Sequence, residues 1–312
     1  MISVSILIPV YNVAPYIERC ARSLFEQTYS DLEIIFVDDC SPDDSVAILE
    51  RIVSEYPGRR VRIIRHERNR GLAAARNTAV ANAEGKFITH VDSDDWLEPN
   101  AVELLMKRQR ETGADIVSCN AFAHFADKTE LLLEPVYPDK ESMIRSVIQM
   151  NLDHVIWRRL ILRTLYTDNG ISAFEGTDIG EDHYTLPRLV FYAGSFAVVD
   201  APLYHYNCFN AGSYMRSTSS SFSIRRYFSD CGSCLILYDF FERMDKRYCD
   251  QLKKILEKYR LYCRLSAARS SDLEAYKIIS KDLGLLSFDY PFVRLYVLVR
   301  RLLHDLAYRY LA

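Results

Sequence analysis

Within the first 120 residues, apolar runs rich in β-branched side chains alternate with segments of helical spacing. The strand-like runs lie at residues 2–8, 32–37, 61–64, 87–91 and 115–118. Between the first two runs, one helix face is predicted to consist of Ile17, Cys20, Ala21, Leu24 and Phe25. This alternation favours a mostly parallel sheet covered by helices. Such sheets bind ligands beyond the carboxyl ends of their strands, so the polar residues that follow each strand are the candidate site.

Helix boundaries are also marked in the sequence. Ser41 and Pro42 have the residue types preferred at the N-cap and first position of a helix, and predict the start of the helix after the second strand. Asn100 and Gly113 predict the two ends of a later helix. Residues 204–222 are rich in serine, asparagine and glycine and predict a mobile loop.

Charge is distributed unevenly along the 312 residues. Residues 1–221 carry 22 Lys and Arg against 31 Asp and Glu, whereas residues 222–312 carry 17 against 11. The net charge of -3 argues against a protein built to coat nucleic acid. We predict an alternating α/β half at 1–120, an irregular half at 121–221 and a helical region at 222–312.

The sequence predicts neither a membrane span nor a signal peptide. Every long apolar run is interrupted by a charge, and Pro9 and Asn12 cut short the run at the N-terminus. The 8 cysteines include no two paired CxxC units and are too few for a disulfide scaffold. We therefore expect a cytoplasmic protein, with Cys231 and Cys234 packed in a core.

Polar side chains follow each of the first four predicted strands. They are Pro9, Tyr11 and Asn12, then Asp38 and Asp39, then Arg76, and finally Asp92, Ser93, Asp94 and Asp95. An aromatic ring, acidic hydrogen-bond acceptors, an arginine and a carboxylate cluster are the parts of a nucleotide-diphosphate site. Adjacent carboxylates favour a bound cation, and oxygen ligands select Mg²⁺ or Mn²⁺. The alternatives are a solvated helix start for the acidic cluster and a helix cap for Asp39.

Residues 1 to about 216 resemble the family-2 glycosyltransferases with the A-type nucleotide-sugar fold. The matching segments are residues 4–12, 37–41, 75–77, 91–95, 180–182, 202–206 and 212–213. The resemblance implies a Rossmann-like, mostly parallel sheet flanked by helices, followed by a C-terminal helical region. It also implies inverting transfer of a sugar from a nucleotide diphosphate, UDP in particular, to a hydroxyl of a glycan or lipid-linked acceptor in surface polysaccharide synthesis.

On the donor side, the resemblance implies roles for the residues after the strands. Asp38 and Asp39 would accept hydrogen bonds from uracil and ribose, Tyr11 would flank the base, and Arg76 would balance the base-phosphate region. The nucleotide would also contact Pro9, Asn12, Asp92 and Ser93. Cys40 stands where relatives often have glycine, which leaves the tightness of that turn open.

On the catalytic side, the resemblance makes Asp182 the base that takes the proton of the acceptor hydroxyl, with Glu181 as its support. His183 is a rival base with a suitable intrinsic pKa, and the alternative for the acidic pair is an N-terminal acidic turn of a helix that continues through residues 184–186. Asp94 would bind Mn²⁺ or Mg²⁺. His205 would complete that metal site, or else be a structural histidine.

Three further features bear on the acceptor and the membrane. Trp157 and Arg159 would form part of an acceptor floor or anchor a core. Arg216 would close over the diphosphate as part of a lid. Residues 290–312 form a basic amphipathic pattern, which suits either peripheral contact with the inner face of a membrane or docking on the body. The apolar C-terminal helices of the chain could also pair in a homo-oligomer.

Other classes of protein remain open at the level of sequence. A non-catalytic sugar-nucleotide-binding protein could share the fold. A sugar nucleotidyltransferase should carry a glycine-rich, basic loop after its first strand, where this chain has residues 9–12. A glycoside hydrolase needs two carboxylates around one bond but has no use for a nucleotide site.

Overall fold

The computed structural model describes residues 2–149, 155–176, 180–210 and 220–269. The chain divides into two compact units, Met1–Ala211 and Gly212–Ala312. The first unit contains the sheet and most of the predicted site. The predicted boundary at residue 120 falls inside a strand of this unit, so the first two predicted regions fold together.

The first unit alternates strands and helices. Its strands are β1 (Val4–Val10), β2 (Leu32–Asp38), β3 (Val61–Arg65), β4 (Phe87–His90), β5 (Trp96–Leu97), β6 (Ile116–His124), β7 (Thr129–Leu132), β8 (Arg159–Leu162) and β9 (Phe196–Asn207). Its helices are α1 (Ile17–Phe25), α2 (Ser45–Glu55), α3 (Leu72–Asn82), α4 (Ala101–Thr112), α5 (Lys140–Val147), α6 (Thr164–Thr167) and α7 (Asp182–Tyr192). The five strands predicted from apolar runs correspond to β1, β2, β3, β4 and β6.

Within the described residues these strands form one nine-stranded sheet in the order β3-β2-β1-β4-β8-β6-β9-β5, with β7 paired to β6. β1 is parallel to β2 and β4, and β2 is parallel to β3. β8 runs antiparallel to both β4 and β6, whereas β6 and β9 are parallel. The predicted fold class is confirmed, and β8 is an antiparallel strand between β4 and β6, which run in the same direction.

The core lies between this sheet and its helices. All seven residues of β1 and of β2 are buried, as expected for central strands covered on both faces. The face predicted for α1 is also confirmed, because its buried residues are Ile17, Cys20, Ala21, Leu24 and Phe25. These rigid strands hold the polar residues that follow them at one edge of the sheet.

Local structure differs from the prediction in two places. α2 begins at Ser45 instead of near Ser41, because the Asp43 carboxylate accepts hydrogen bonds from Ser45 Oγ at 2.5 Å and from Ala14 N at 2.8 Å. β9 runs to Asn207, so the predicted loop cannot begin at residue 204. α4 starts and ends as predicted, with Gly113 in the left-handed conformation (φ 69°).

The second unit is helical in its described part, as predicted. It contains α8 (Ser220–Met244), a short 3-10 turn (Lys246–Tyr248) and α9 (Cys249–Arg269). Cys231 and Cys234 are buried, and burial raises the pKa of their thiols to about 11 and about 12. Arg216 and the amphipathic segment 290–312 lie outside the described residues. None of the helices in the described part of the chain has the length and apolar character needed to cross a bilayer.

Candidate active site

One buried arginine gathers three of the predicted site carboxylates. Arg76 Nη1 donates to Asp182 Oδ1 at 2.9 Å, and Arg76 Nη2 donates to Asp92 Oδ1 at 2.9 Å. Its Nε lies 3.2 Å from Glu181 Oε1. We call these four residues the Arg76 cluster. It joins the loop after β4 to the start of α7, two segments that are about 90 residues apart in the chain.

Burial and like charge dominate the electrostatics of the Arg76 cluster. Burial raises the pKa of Asp92 to about 6, with Asp94 and Asp182 adding to the rise and Arg76 opposing it. Burial also holds the pKa of Glu181 well above its usual range. The carboxylates in turn raise the pKa of Arg76, against the effect of its burial. One guanidinium thus faces three carboxyl groups, which leaves the cluster with an excess of negative charge.

This arrangement changes the interpretation of Arg76. The sequence predicted that it balances the base-phosphate region of the donor. Its guanidinium instead faces carboxyl groups of the protein on three sides, and only 6% of its side chain is exposed. Arg76 therefore orients the protein's own acids.

A tyrosine supports the loop that follows β4. Tyr204 OH donates to Asp95 Oδ2 at 2.6 Å and accepts from the backbone N–H of Asp92 at 3.1 Å. Asn207 N donates to the other oxygen of Asp95 at 2.7 Å. Asp95 is fully buried, so it is a structural anchor of this loop. Trp157 stacks on Tyr204 with the ring centroids 4.6 Å apart, and is itself buried.

Asp94 is only half-buried at the edge of this loop. Its Oδ2 accepts from Asn210 Nδ2 at 2.8 Å, and burial raises the pKa of its carboxyl. Its backbone oxygen accepts from Arg19 Nη2 at 3.5 Å. Ser93, between Asp92 and Asp94, is buried. Asp94 is therefore the member of the acidic loop that combines partial exposure with a position outside the Arg76 cluster.

The two acids after β2 have well-defined local contacts. Asp39 accepts from Arg70 N at 2.9 Å and Gly71 N at 2.7 Å, and its Oδ1 lies 2.6 Å from His66 Nδ1. These bonds fix the segment that opens α3. Asp38 accepts from Ser41 N at 2.9 Å. Asp39 therefore does not cap the helix after β2, which was the alternative for it; it fixes the turn before Leu72, the first residue of α3.

The surrounding turns leave an aromatic ring exposed. Tyr11 is 48% exposed at the end of β1, next to Asn12, whose φ is 55°. Pro9 is buried within β1. Cys40 adopts φ 61°, the left-handed conformation that favours glycine, so the turn keeps its tight geometry without one.

His205 lies in a separate hydrogen-bonded group. Its Nε2 is 2.9 Å from Glu98 Oε1, and its Nδ1 is 2.9 Å from His124 Nε2. The ring also stacks on Trp96, with the centroids 4.9 Å apart. Both ring nitrogens are thus engaged with protein side chains, which fits the structural alternative and gives no support to His205 as a metal ligand.

Arg159 belongs to the interior. It is 1% exposed and contacts Glu134 Oε1 and Ser118 Oγ closely, while Arg158 Nη2 lies 2.9 Å from Glu134 Oε2. We call Glu134, Arg158 and Arg159 the Glu134 cluster. Because this cluster is sealed from solvent, we do not retain the acceptor contact predicted for Arg159. The alternative of a core anchor fits both Arg159 and the buried Trp157.

Some residues that shape the site carried no usable signal in the sequence. Tyr204 lies in a segment that resembled the family, but nothing indicated its contact with Asp92 and Asp95. His90 and Tyr166 lie beneath the Arg76 cluster, with His90 Nε2 3.1 Å from Tyr166 OH. Their partners are distant in the chain, and no local spacing could have identified them.

Residues 5–164 match the family described as Glycosyl transferase family 2, and the chain belongs to that family. The putative glycosyltransferase EpsH of Bacillus subtilis is 34% identical over 211 residues, which are 65% of this chain and 60% of that protein. The chondroitin synthase of Escherichia coli is 46% identical over 108 residues, 35% of this chain and 15% of that protein. The chain thus spans less than two-thirds of the length of these relatives.

Solved structures share the fold. TarS 1-349 of S. aureus, in complex with UDP-GlcNAc, has a TM-score of 0.58 and 19% identity, and the match covers 89% of this chain and 90% of that one. The mannosyltransferase PcManGT of Pyrobaculum calidifontis, in complex with GDP-Man and Mn²⁺, has a TM-score of 0.54 and 18% identity, with 96% and 84% covered. At these identities the likeness concerns the fold alone.

Proposed function

We propose that this chain transfers a sugar from a nucleotide diphosphate, a UDP-sugar, to a hydroxyl group of a glycan or lipid-linked acceptor in surface polysaccharide synthesis. Its membership of family 2 supports glycosyl transfer. The similarity to a chondroitin synthase supports a growing glycan as the acceptor. UDP-GlcNAc in a neighbour of the same fold supports UDP, and GDP-Man in the other makes the nucleotide a matter for direct test.

One observation carries the proposal: the Arg76 cluster brings the acidic loop after β4 and the acidic pair at α7 to one place. Ligands of such sheets bind at this edge. Three carboxyl groups with one arginine cost free energy, because desolvation and mutual repulsion disfavour their ionised forms. A fold retains such an arrangement most readily where a ligand or a reaction uses it.

Asp182 is the proposed base. Its Oδ1 is held by Arg76, whereas within the described residues its Oδ2 accepts a long hydrogen bond of 3.4 Å from Ile156 N. We assign Oδ2 the proton of the acceptor hydroxyl. The acceptor oxygen then forms a bond to the anomeric carbon as the bond to the diphosphate breaks on the opposite face, so the configuration inverts without a covalent enzyme intermediate.

Glu181 and Arg76 support this base without exchanging groups with the substrate. Glu181 is buried and its raised pKa favours the neutral acid, which reduces repulsion beside Asp182. The guanidinium fixes the direction in which Asp182 Oδ2 points. Positioning of this kind is required for a base to act within hydrogen-bond reach.

A divalent cation fits the acidic loop. In the described part of the chain, no three His, Cys, Asp or Glu side chains are grouped so that they could hold a metal ion. Mg²⁺ and similar ions on nucleotides are nonetheless held by one or two carboxylates, with phosphate and water oxygens completing the shell. Asp94 would hold the ion, with Asp92 nearby, and a bound Mn²⁺ or Mg²⁺ would offset the negative charge of the departing diphosphate.

The test is release of nucleoside diphosphate from a panel of UDP-, GDP- and dTDP-sugars, with Mn²⁺ or with EDTA. We expect slow hydrolysis of one donor class, abolished by EDTA and reduced about 10²–10⁴-fold by Asp182→Asn. Asp168→Asn is the matched control, because Asp168 is an exposed carboxylate remote in sequence from the acidic loop. It should keep the wild-type rate.

The outcomes separate the parts of the proposal. Turnover that resists EDTA would remove the metal from it. Turnover that survives Asp182→Asn would remove the assigned base, and His183 would be tested next. Binding of no nucleotide sugar at all would contradict the transferase itself.

A further inference from the structure

A small cavity adjoins the Arg76 cluster. Its wall includes Arg76 of α3, His90 of β4, Tyr166 of α6 and Thr185 of α7, together with Glu181. The free space admits roughly one water molecule. Elements that are far apart in sequence therefore line a space of about the size of one water molecule, next to Glu181.

Three polar atoms of this wall are buried without a hydrogen-bond partner in the described structure. They are Arg76 Nε, His90 Nδ1 and Thr185 Oγ1. Arg76 Nε is 3.2 Å from Glu181 Oε1, but the N–H does not point at that oxygen well enough to form a hydrogen bond. A buried polar atom left without a partner costs about 1–3 kcal/mol. Three such atoms around one cavity call for a shared partner.

The chemistry of the three atoms matches that of water. Arg76 Nε–H can only donate, Thr185 Oγ1 can donate or accept, and a neutral imidazole nitrogen does one or the other according to its tautomer. Burial and the nearby Arg76 hold the pKa of His90 well below its ordinary value, so its ring is neutral. A molecule with two donors and two acceptors serves all three atoms in either tautomer, and buried waters typically make about three hydrogen bonds.

We propose that the cavity binds one resident water molecule, which hydrogen-bonds to Arg76 Nε, His90 Nδ1 and Thr185 Oγ1. The water adds a hydrogen bond at Nε, beside the Glu181 carboxyl, to the guanidinium whose Nη groups hold Asp92 and Asp182. His90 and Thr185 are therefore positioning residues, acting on the carboxylates through the water and Arg76. The site does not depend on which donor or acceptor the chain uses.

Thr185→Val tests for the water, because the midpoint of thermal unfolding of the full chain should fall if the water is present and should not fall if it is absent. If water fills the cavity, the variant loses a hydrogen bond and the midpoint of thermal unfolding falls by about 2–4 °C. If the cavity is dry, the substitution replaces an unsatisfied hydroxyl by a methyl of the same shape, and the midpoint stays the same or rises. Either of these last two results would overturn the proposal.

Thr78→Val is the matched reference, because it removes a hydroxyl whose hydrogen bond is visible: Thr78 Oγ1 lies 2.9 Å from His66 Nε2. The two variants should lower the midpoint by similar amounts. High-resolution crystal structures provide the second measurement. Density for a water within reach of Thr185 Oγ1 and His90 Nδ1 should be present in the wild type and in Thr185→Ser, and absent in Thr185→Val. An empty cavity in the wild type contradicts the site.

The positioning role has its own readout. Thr185→Val should lower kcat for donor turnover while KM for the donor is unchanged, and Thr185→Ser should restore kcat. Equal kcat in all three proteins would show that the water is structural only and would overturn the positioning role. If the wild type binds no nucleotide sugar, the proposed function fails, whereas unfolding and density still decide whether the water is bound.

Discussion

Two buried clusters of arginines and carboxyl groups lie in the first unit, and they differ in the charge left over. The Arg76 cluster has one guanidinium for three carboxyl groups. The Glu134 cluster has two guanidiniums for one. Burial of ions is costly unless each is paired and hydrogen-bonded, so the two clusters face the same physical problem with opposite excesses.

The Glu134 cluster solves the problem internally. Two of its further donors are taken up by backbone oxygens: Arg159 Nε donates to Val155 O at 2.8 Å, and Arg158 Nη1 donates to Leu132 O at 3.4 Å. At most 2% of each charged side chain is exposed. The cluster ties β6 and β8 to the segment after β7.

The Arg76 cluster is not closed in this way. Asp92 keeps 28% of its side chain exposed and Asp182 keeps 13%. The excess charge of this cluster is negative and faces outward at the edge of the sheet where ligands bind. The two clusters thus differ in exposure as well as in charge: the Arg76 cluster is partly open to solvent, whereas the Glu134 cluster is buried.

The largest effect is expected from Arg76→Met, which removes the guanidinium of the Arg76 cluster. The variant leaves Asp182 and Glu181 without their cation, so the base loses its orientation. We expect the rate of donor turnover to fall about 10²–10⁴-fold, the range that a positioned acid–base group supplies. Nucleoside diphosphate release measures it, and Arg65→Met is the control because Arg65 pairs with Glu50 at the surface. Equal losses in both variants would contradict the special role of Arg76.

The second-largest effect is expected from Glu134→Gln, which removes the anion of the Glu134 cluster. It leaves two buried guanidiniums without an anion, and removal of one partner from a buried ion pair costs about 3–5 kcal/mol. Urea denaturation should show this loss in the free energy of unfolding, while turnover per folded molecule stays near the wild-type value. Glu50→Gln, in an exposed pair, should cost about 1 kcal/mol or less. A Glu134→Gln protein that is fully stable but inactive would reverse the comparison.

Local patterns predicted the fold well, and long-range contacts explain what they missed. The buried face of α1, the ends of α4 and five strands follow from spacing and from cap residues, which act within one or two turns. The sequence also singled out Asp92, Glu181 and Asp182 as candidates, because the segments that contain them resemble the family, and the structure brings them together around Arg76. Their common partner was not predicted, because Arg76 contacts Asp182 across 106 residues of chain. Nothing local to Trp157 and Arg159 distinguished an acceptor floor from a core, and their burial alone decides it.

The smallest effect concerns Asp92 of the Arg76 cluster, whose contribution to the free energy of unfolding depends on pH. The pKa of Asp92 is about 6 in the folded protein, against about 3.9 in an unfolded chain. Between these values the folded state binds a proton that the unfolded chain has released. The contribution of Asp92 to the free energy of unfolding is therefore complete below pH 4 and is lost as the pH rises through about 6.

Asp92→Asn removes this titration, so the difference between the mutant and wild-type unfolding midpoints should grow in favour of the mutant from pH 4 to 6 and then level off. The shift of about two pKa units sets an upper limit near 3 kcal/mol. Thermal unfolding in EDTA across this pH range measures the difference without interference from divalent cations. Glu134→Gln provides the contrast. Its loss in the free energy of unfolding should persist above pH 6, where the carboxyl of Asp92 is already ionised. Parallel curves for Asp92→Asn and the wild type would contradict the raised pKa of Asp92, because they would mean that Arg76 fully compensates the burial of its carboxyl.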